Sequence, residues 1–428
     1  MNHFNTKAFK RSRGAYTTQC AFDYFTSILV TDAFLATLLL SVGVHESMIG
    51  IITSISSFAF LFQILSIVFA KSVKTVKPFV ITFNTLSEVI FVLLYVLPFF
   101  NVSAKTKTVL SFAFVLVAYI CKYISAGFLF KWGNSFVDPY KRGRFSAIKE
   151  VISLVCGMFF SLAVGYIFNC YQDSGKLKEG FIFITIMLII NTVMNFACLC
   201  LIKKDIDDGE EEQTIPIRKV IKVLVDNKNY RNMVIMVAVK SFATAFVVGF
   251  LGTFKTKDLF ISIGTIQVIN IVGNAFRAFL SGPLGRYSDK YSFVKGYKMG
   301  LCIEIASLVS LVFITGPDRW WIIILYTILY NVSLAGTNSN ASNLIYSFVP
   351  QQYFVQATAI KNVICGVISL LSALIAGWVF NLIQFKGNKF FGISMYPQQL
   401  LALVAIVIMS LAVIFATKVV EKQKIIKQ

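Results

Sequence analysis

Long apolar runs follow one another along almost the whole chain, with short polar loops between them. A bilayer core takes about 20 apolar residues per helix, and backbone polar groups in hydrocarbon must be satisfied within the segment. On that scale the pattern predicts twelve membrane-spanning helices and therefore an all-α membrane protein. The predicted spans cover residues 18–42, 47–69, 78–100, 108–131, 145–168, 180–202, 230–253, 258–281, 294–315, 319–343, 357–383 and 396–417.

Two of these spans repeat each other. Residues 147–169 and 359–381 are identical at 10 of 23 positions without a gap, and the offset of 212 residues is half of a 428-residue chain. A repeat of that length predicts two six-helix bundles in parallel repeat. We divide the chain into an N-terminal bundle (1–202), a cytoplasmic linker (203–229) and a C-terminal bundle (230–428).

The linker contains one amphipathic pattern. After Pro216, apolar residues recur at helical spacing while Arg218, Lys219 and Lys222 lie off that stripe. This spacing predicts a short helix on the cytoplasmic leaflet. The apolar residues are Ile217, Val220, Ile221, Leu224 and Val225.

Composition supports a membrane protein and sets its orientation. The chain is 57% hydrophobic and 14% charged, and its mean hydropathy is +0.74. The net charge of +20 does not indicate nucleic-acid binding, because the basic residues lie in short loops. With twelve spans, 28 of the 40 Lys and Arg residues fall on one side and 9 on the other, which predicts that both termini are cytoplasmic. Abundant Phe, Ile, Lys and Asn suggest a bacterial plasma membrane.

Ionisable and amide side chains inside spans are the candidate functional residues, because burying them in lipid is costly. In span 8 Gln267, Asn270, Asn274 and Arg277 form one polar stripe, which must face protein or water. Span 10 adds Asn331 and Asn338 on one face. Such amides either bind a polar solute or act as interhelical glue, and the sequence leaves both readings open. The ionisable residues within spans are Asp32, Glu88, Lys122, Lys240, Arg277 and Glu304, whereas Asp23 is predicted to be interfacial.

Two loops carry a family resemblance. Residues 282–292, GPLGRYSDKYS, resemble the loop motif G-x-L-A-D-R-x-G-R-K of the major facilitator superfamily, with matches at Gly285, Asp289 and Lys290. Residues 132–145, WGNSFVDPYKRGRF, resemble the P-x-x-R-G-R-F segment of bacterial members. The resemblance implies a gating contact in which Asp289 faces the N-terminus of span 5, near Arg142 and Arg144.

The same resemblance implies which spans line a central cavity. In the family these are spans 1, 4, 7 and 10, with contributions from 2, 5, 8 and 11. Three cations (Lys122, Lys240, Arg277) against Asp32 favour a solute with negative charge, such as a carboxylate or phosphate. The alternative is an internal salt bridge between Asp32 and Lys240. The predicted substrate and coupling set is Asp32, Lys122, Lys240, Gln267, Asn270, Asn274, Arg277, Asn331 and Asn338.

Glu88 and Glu304 occupy comparable places in spans 3 and 9, which are peripheral in the family. We expect them to be structural partners of neighbouring helices. A stripe of small residues in span 5 includes Gly157 and Gly165 and allows close helix packing. That stripe is either a packing surface alone or the surface on which the two halves slide.

The predicted function is secondary active transport of a small polar solute, with an anionic one favoured, by alternating access, with H⁺ as the coupling ion and Asp32 as its carrier. The alternatives are the permease subunit of an ATP-driven system and a non-transporting, carrier-like sensor. No phosphate-binding loop is present, and the two histidines, His3 and His45, offer no catalytic centre, so an enzyme is not expected. We expect no cofactor, no metal and no nucleic-acid partner, and we expect a monomer in the lipid bilayer.

Overall fold

The computed structural model describes residues 6–62, 65, 75–137, 142–203, 217–350, 353–390 and 393–423. Fourteen α-helices run through these residues. In the N-terminal half they are α1 (Lys7–Leu29), α2 (Asp32–Ser41), α3 (Glu46–Phe58), α4 (Val76–Val96), α5 (Ala104–Ser135), α6 (Arg142–Asp173) and α7 (Leu177–Leu201). In the C-terminal half they are α8 (Ile217–Asp226), α9 (Lys228–Val248), α10 (Ile263–Lys290), α11 (Phe293–Val312), α12 (Ile322–Phe348), α13 (Phe354–Phe385) and α14 (Pro397–Phe415).

Shorter elements extend four of these helices or connect two of them; one is the 3₁₀ turn Leu97–Phe99, which continues α4. A 3₁₀ turn, Ala59–Phe62, continues α3, and a π-helical turn, Ala416–Val420, continues α14. After α9 come a three-residue helical turn and a π-helical turn, Phe254–Asp258. Between α13 and α14 the strands β1 (Lys389–Phe390) and β2 (Ile393–Ser394) form an antiparallel hairpin.

Among the described residues, nine helices are long and apolar enough to cross a membrane, and ten if the bent pair α1–α2 counts as one span. A helix is present at each of the twelve predicted places. The helix at predicted span 2, α3, runs into residues outside those described, so its length as a span is not tested. The helix at predicted span 9, α11, is not among the nine, and it carries three charged residues, Lys295, Lys298 and Glu304, within its 20 residues.

The helix that contains the first predicted span begins before that span. Helix α1 begins at Lys7, not near residue 18. Its polar first turns are held by tertiary contacts: Arg13 donates to the carbonyl of Phe136 at 2.9 Å, and the hydroxyl of Ser12 accepts from the backbone N–H of Lys203 at 3.1 Å. Hydropathy alone could not place this start, because these residues are stabilised by partners distant in the chain.

The chain divides into two compact units. The first comprises Met1–Glu210 with Ser262–Gln267, and the second comprises Glu211–Ile261 with Val268–Gln428. In the first unit α1 packs against α6 and α7, and α4 packs against α5 and α7. In the second unit α9 packs against α13 and α14, and α11 packs against α12 and α14. The first span of each half thus contacts the fifth and sixth, and the third contacts the fourth and sixth, as a duplicated bundle requires.

Aromatic packing closes one end of the first unit. The indole of Trp132 is 1% exposed, and its Nε1–H donates to the carbonyl of Lys203 at 3.1 Å. Around it Phe9 meets Phe136 edge to face, with ring centroids 5.4 Å apart. Such pairs combine apolar burial with favourable ring geometry. This cluster holds the start of α1 against the ends of α5 and α7.

The outer faces of the bundles are apolar. Phe159, Phe279 and Phe385 are 70%, 78% and 93% exposed, whereas Asn84, Asn195 and many other polar residues are buried. In water this distribution would be unfavourable, because large exposed apolar surfaces associate. In a bilayer it is the expected one, with lipid against the apolar faces and polar groups satisfied between helices.

The predicted linker helix is present as α8. Leu224 on its last turn is buried, whereas Val225 is exposed. Asn227 then caps α9: its side chain accepts from the backbone N–H of Tyr230 at 3.1 Å and donates to the carbonyl of Phe348 at 2.8 Å. Residues 204–216 of the predicted linker lie outside the described part of the chain, so its boundaries stay predictions.

Candidate functional site

The predicted polar stripe lies along one continuous helix, α10. Gln267 is buried, and Asn270, Asn274 and Arg277 are partly buried. Because α10 has 3.6 residues per turn, positions three, seven and ten residues apart return to one face. Among the described residues Arg277 forms no ion pair. The helix therefore presents amide groups and one guanidinium along a single line.

A glycine on α10 brings a further amide beside that stripe. A Cβ atom on Gly273 would lie 2.7 Å from Nδ2 of Asn331 and 3.1 Å from the carbonyl oxygen of Thr327, both on α12. Only glycine permits this approach of the two helices. Asn331 in turn donates to the Thr327 carbonyl at 2.9 Å, which holds its side chain along α12. The sequence predicted Asn331 as a site residue. The structure shows that its side chain fits against α10 because residue 273 is a glycine.

The other amides of α12 have different environments. Asn338 is exposed. Asn340 is buried and donates to the Ser288 hydroxyl at 2.9 Å and to the Gly336 carbonyl at 2.7 Å. Asn340 thus joins α12 to α10, which is the interhelical role that the sequence left open for these amides. Asn331 and Asn338 do not share one environment, although their spacing placed them on one face.

Lys240 is paired within the second unit. Its Nζ lies 3.5 Å from Oε2 of Glu304, and the same carboxyl accepts a hydrogen bond from the Thr244 hydroxyl at 2.5 Å. Within this unit the acid beside Lys240 is Glu304, which the sequence did not name as its partner; the alternative pairing with Asp32, a residue of the first unit, stays a prediction. Lys240 and Thr244 are four residues apart on α9, so one face of that helix supplies both contacts.

Lys122 is paired within the first unit. Its Nζ lies 2.8 Å from Oδ1 of Asp23. Asp23 lies well inside α1 and pairs with a residue of α5, a partner that the sequence did not show; its interfacial position stays a prediction. With Lys122 and Lys240 both neutralised, Arg277 is the member of the predicted cation set whose charge is not balanced by an ion pair among the described residues.

Asp32 lies at a break in the first span. Helices α1 and α2 meet at a bend of 45°, and Asp32 begins α2 with φ +48°, in the left-handed region that few L-residues adopt. The hydroxyl of Tyr95 donates to the Leu29 carbonyl at the end of α1, and Thr31 donates to the Ser27 carbonyl at 2.7 Å. These bonds satisfy carbonyls near the break. Broken helices of this kind mark binding sites in transporters. Hydropathy gave no sign of the break, since no Gly or Pro lies at residues 30–32.

The predicted gating residues are only partly described. Gly285 lies within α10, and Asp289 and Lys290 are exposed at its end. Arg142 and Arg144 lie in the first turn of α6, but their side chains lie outside the described part of the structure. The predicted contact of Asp289 with these arginines therefore stays a prediction.

The small-residue stripe on α6 makes two kinds of contact. At Gly157 a Cβ atom would lie 2.3 Å from the ring of Tyr24 on α1, so this position packs inside the first bundle. At Gly165 a Cβ atom would lie 3.3 Å from Cα of Gly264. Asn169, one turn further on, donates to the Ser262 hydroxyl at 3.0 Å and accepts from the Gly264 N–H at 3.1 Å. Of the two readings, packing describes Gly157.

An apolar groove of about 700 Å³ lies in the second unit between α9 and α13. Its lining residues are aliphatic or aromatic except for Arg231, and the hydroxyl of Tyr230 is the other polar group among them. It contains none of the predicted substrate residues and does not suit a polar solute. Among the described residues, no group of three or more His, Cys, Asp or Glu side chains is placed to hold a metal ion.

Comparison with known proteins agrees with this architecture. The family model described as "Major Facilitator Superfamily" matches residues 17–373. The fold is similar to a solved structure of the nucleoside transporter NupG, with a TM-score of 0.71 and 12% identity over 96% of this chain and 100% of that one. It is also similar to a bacterial homolog of the human lysosomal transporter Spinster, with a TM-score of 0.69 and 11% identity over 96% and 97% of the two chains.

A third similar structure is the POT family transporter PepTSo, with a TM-score of 0.68 and 12% identity over 97% of this chain and 99% of that one. Identities this low show the fold alone. No curated protein matches the sequence. The family model covers well over half of the chain, and the bundles repeat as the fold requires. The chain belongs to the major facilitator superfamily.

Proposed function

We propose that the protein is a secondary active transporter that moves a small polar solute by alternating access of a central site. The observation that carries the proposal is the stripe of Gln267, Asn270, Asn274 and Arg277 on α10, with Asn331 admitted beside it by Gly273. Amides donate and accept hydrogen bonds in fixed geometry, which suits a polar solute and is unsuited to lipid.

We further propose that the solute carries an acidic group. Lys122 and Lys240 do not support this, because Asp23 and Glu304 neutralise them. Arg277 supports it, because a guanidinium binds carboxylate or phosphate through paired N–H donors. We therefore expect a solute with one acidic group, which Arg277 binds, and with further groups that hydrogen-bond to the amides. This solute class is narrower than the one that three cations suggested.

Proton coupling is proposed to depend on Asp32. The carboxylate begins the half-helix α2 at a break within a membrane span, where a change of protonation acts on the geometry of both half-helices. The backbone conformation at Asp32 is strained, and such strain concentrates at functional sites. The distribution of Lys and Arg in the loops supports cytoplasmic termini, and the abundance of Phe, Ile, Lys and Asn supports a bacterial plasma membrane. We propose that the protein is a monomer there.

Transport into liposomes that contain the purified protein tests this function. A panel of nucleosides, peptides, organic acids and sugar phosphates is offered with and without an inward proton gradient, and without ATP. We expect gradient-driven accumulation of one class, and we expect Arg277→Gln to lose most of it. The matched control is Arg319→Gln, since Arg319 is an exposed arginine in a loop. Accumulation that requires ATP, or that Arg277→Gln leaves unchanged, would contradict the proposal.

A further inference from the structure

Helices α4 and α7 bury a cluster of polar side chains that the proposed transport path does not use. Every member is between 1% and 9% exposed. The helices belong to one unit and lie in opposite directions: Lys77 donates to the carbonyl of Ile202 near one end, and Tyr95 meets Phe181 near the other. The middle of each helix therefore faces the middle of its neighbour. The members are Asn84, Ser87 and Glu88 on α4 and Asn191, Thr192 and Asn195 on α7.

The hydrogen bonds of this cluster leave an excess of acceptors. The amide nitrogen of Asn195 donates to Oε1 of Glu88. Four buried oxygen atoms of the cluster have no hydrogen-bond partner among the described residues: Asn84 Oδ1, Ser87 Oγ, Glu88 Oε2 and Asn195 Oδ1. One buried donor, Asn191 Nδ2, also has none. Buried polar atoms without a hydrogen-bond partner are costly. A bound group that several of these oxygen atoms can coordinate would therefore stabilise the cluster.

The charges around the cluster also do not balance. The charged groups that act on Glu88 are Asp23 and Lys122, which form their own ion pair at 2.8 Å. With Glu88 ionised, two carboxylates and one ammonium would leave one negative charge, and burial of Glu88 disfavours that charge unless a cation balances it. The corresponding group in the second unit is balanced, with Lys240 against Glu304. An unbalanced buried charge costs several kcal/mol and calls for a counter-ion.

We propose that this cluster binds one Na⁺ ion, held by the Glu88 carboxylate together with side-chain oxygens of Asn84, Ser87 and Asn195. Carboxylate, amide and hydroxyl oxygens are hard ligands, and hard cations prefer them. One positive charge neutralises the cluster. A proton on Glu88 would also neutralise it, but the resulting O–H satisfies a single acceptor and leaves the other oxygens unpaired.

The test measures ion binding directly on the purified full-length protein in detergent. Radioactive Na⁺ is titrated at constant ionic strength, with choline replacing Na⁺. We expect saturable binding of one ion per chain, and a rise in the thermal unfolding temperature with Na⁺ that choline does not produce. Because no transport is measured, this result is independent of the proposed function. A carrier that moves solute but binds no Na⁺ would overturn this inference and leave the proposed function standing.

Two variants and a control locate the site. We expect Glu88→Gln to abolish Na⁺ binding and Ser87→Ala to weaken it about tenfold, the order seen when groups that support an ion are removed. Glu304→Gln, which changes the balanced group of the second unit, should bind Na⁺ as the wild type does. Wild-type protein without saturable Na⁺ binding would overturn the proposal, even if Glu88→Gln does not fold. Equal binding in Glu88→Gln, or stabilisation by low pH with no difference between Na⁺ and choline, would overturn it too.

Discussion

Glu304 is held by two side chains from one face of α9: Lys240 Nζ lies 3.5 Å from Oε2, and the Thr244 hydroxyl donates to the carboxyl at 2.5 Å. Glu304 is 1% exposed at its side chain, and Lys240 is 12% exposed. A charge pair this deeply buried gives little net stability, but removing one partner leaves an uncompensated charge. The pair therefore joins α9 to α11, and the charge of each partner is compensated by that of the other.

We predict that Lys240→Met destabilises the protein by on the order of 3 kcal/mol, because Glu304 then keeps a buried charge without its cation. The double variant Lys240→Met/Glu304→Gln should recover most of that loss. Thermal unfolding of the purified protein measures both. Lys176→Gln is the control, since Lys176 and Glu179 are both exposed and 3.8 Å apart, where a pair contributes little. Equal stability of the single and double variants would show that the charges do not depend on each other.

For Asp32 we predict that Asn and Val substitutions separate charge from backbone strain. Asn tolerates the left-handed φ of +48° and keeps the side-chain shape, so Asp32→Asn should fold, bind solute and lose its dependence on a proton gradient. A β-branched residue does not tolerate that conformation, so Asp32→Val should be less stable than Asp32→Asn by about 1–2 kcal/mol. Liposome uptake and thermal unfolding measure the two effects. Gradient-driven accumulation that persists in Asp32→Asn would place the proton carrier elsewhere.

Gly273 offers a test of the candidate site that leaves every polar side chain in place. We predict that Gly273→Ala displaces Asn331, because the new Cβ would lie 2.7 Å from its amide nitrogen and 3.1 Å from the backbone carbonyl of Thr327. The expected result is weaker solute binding, seen as a raised KM with the protein still folded. Gly282→Ala on the same helix is the matched control, since nothing lies within 4 Å of its Cβ position. An unchanged KM in Gly273→Ala would remove Asn331 from the site.

A steric prediction concerns Gly157 and Tyr24. A side chain at residue 157 would meet the Tyr24 ring at 2.3–2.5 Å, so Gly157→Ala should be destabilised by roughly 1–3 kcal/mol. Tyr24→Ala in the same chain should restore part of the loss, because it removes the obstructing ring. Gly14→Ala on α1 is the control, with open space at its Cβ position. If Tyr24→Ala does not restore stability, contact with the Tyr24 ring is not the cause of the destabilisation by Gly157→Ala.

The parts of this molecule that the sequence could predict are those that lie along one helix. The stripe from Gln267 to Arg277 depends only on helical period, and the repeat at residues 147–169 depends only on identity at a fixed offset. The pairs Lys122–Asp23 and Lys240–Glu304 depend on which helix faces are neighbours and at what register. No pattern within a single segment contains that information, so the sequence did not identify Glu304 as a partner of Lys240 or Asp23 as a partner of Lys122.

Two further features could not be predicted from the sequence, for a different reason. The break before Asp32 has no local signal in the sequence, since no Gly or Pro lies there. It is stabilised by hydrogen bonds from the Tyr95 hydroxyl and the Thr31 side chain. The close approach of two helices at Gly273 has no signal of its own in the sequence, since Gly273 is one of 25 glycines. Only the position of Asn331 on the facing helix shows that this glycine admits a functional side chain.

Asn169 leads to a prediction about the first turn of α10. The first N–H groups of a helix have no partner within it. Ser262 accepts from the Thr265 N–H at 3.3 Å, and Asn169 accepts from the Gly264 N–H at 3.1 Å while donating to the Ser262 hydroxyl. We predict that Asn169→Leu leaves the Gly264 N–H unsatisfied and destabilises the protein by about 1–3 kcal/mol. Asn169→Asp keeps the acceptor and adds a favourable charge at a helix N-terminus, so it should retain most of the stability. Thermal unfolding distinguishes the two, and equal losses in both variants would show that the acceptor of Asn169 does not support this helix start.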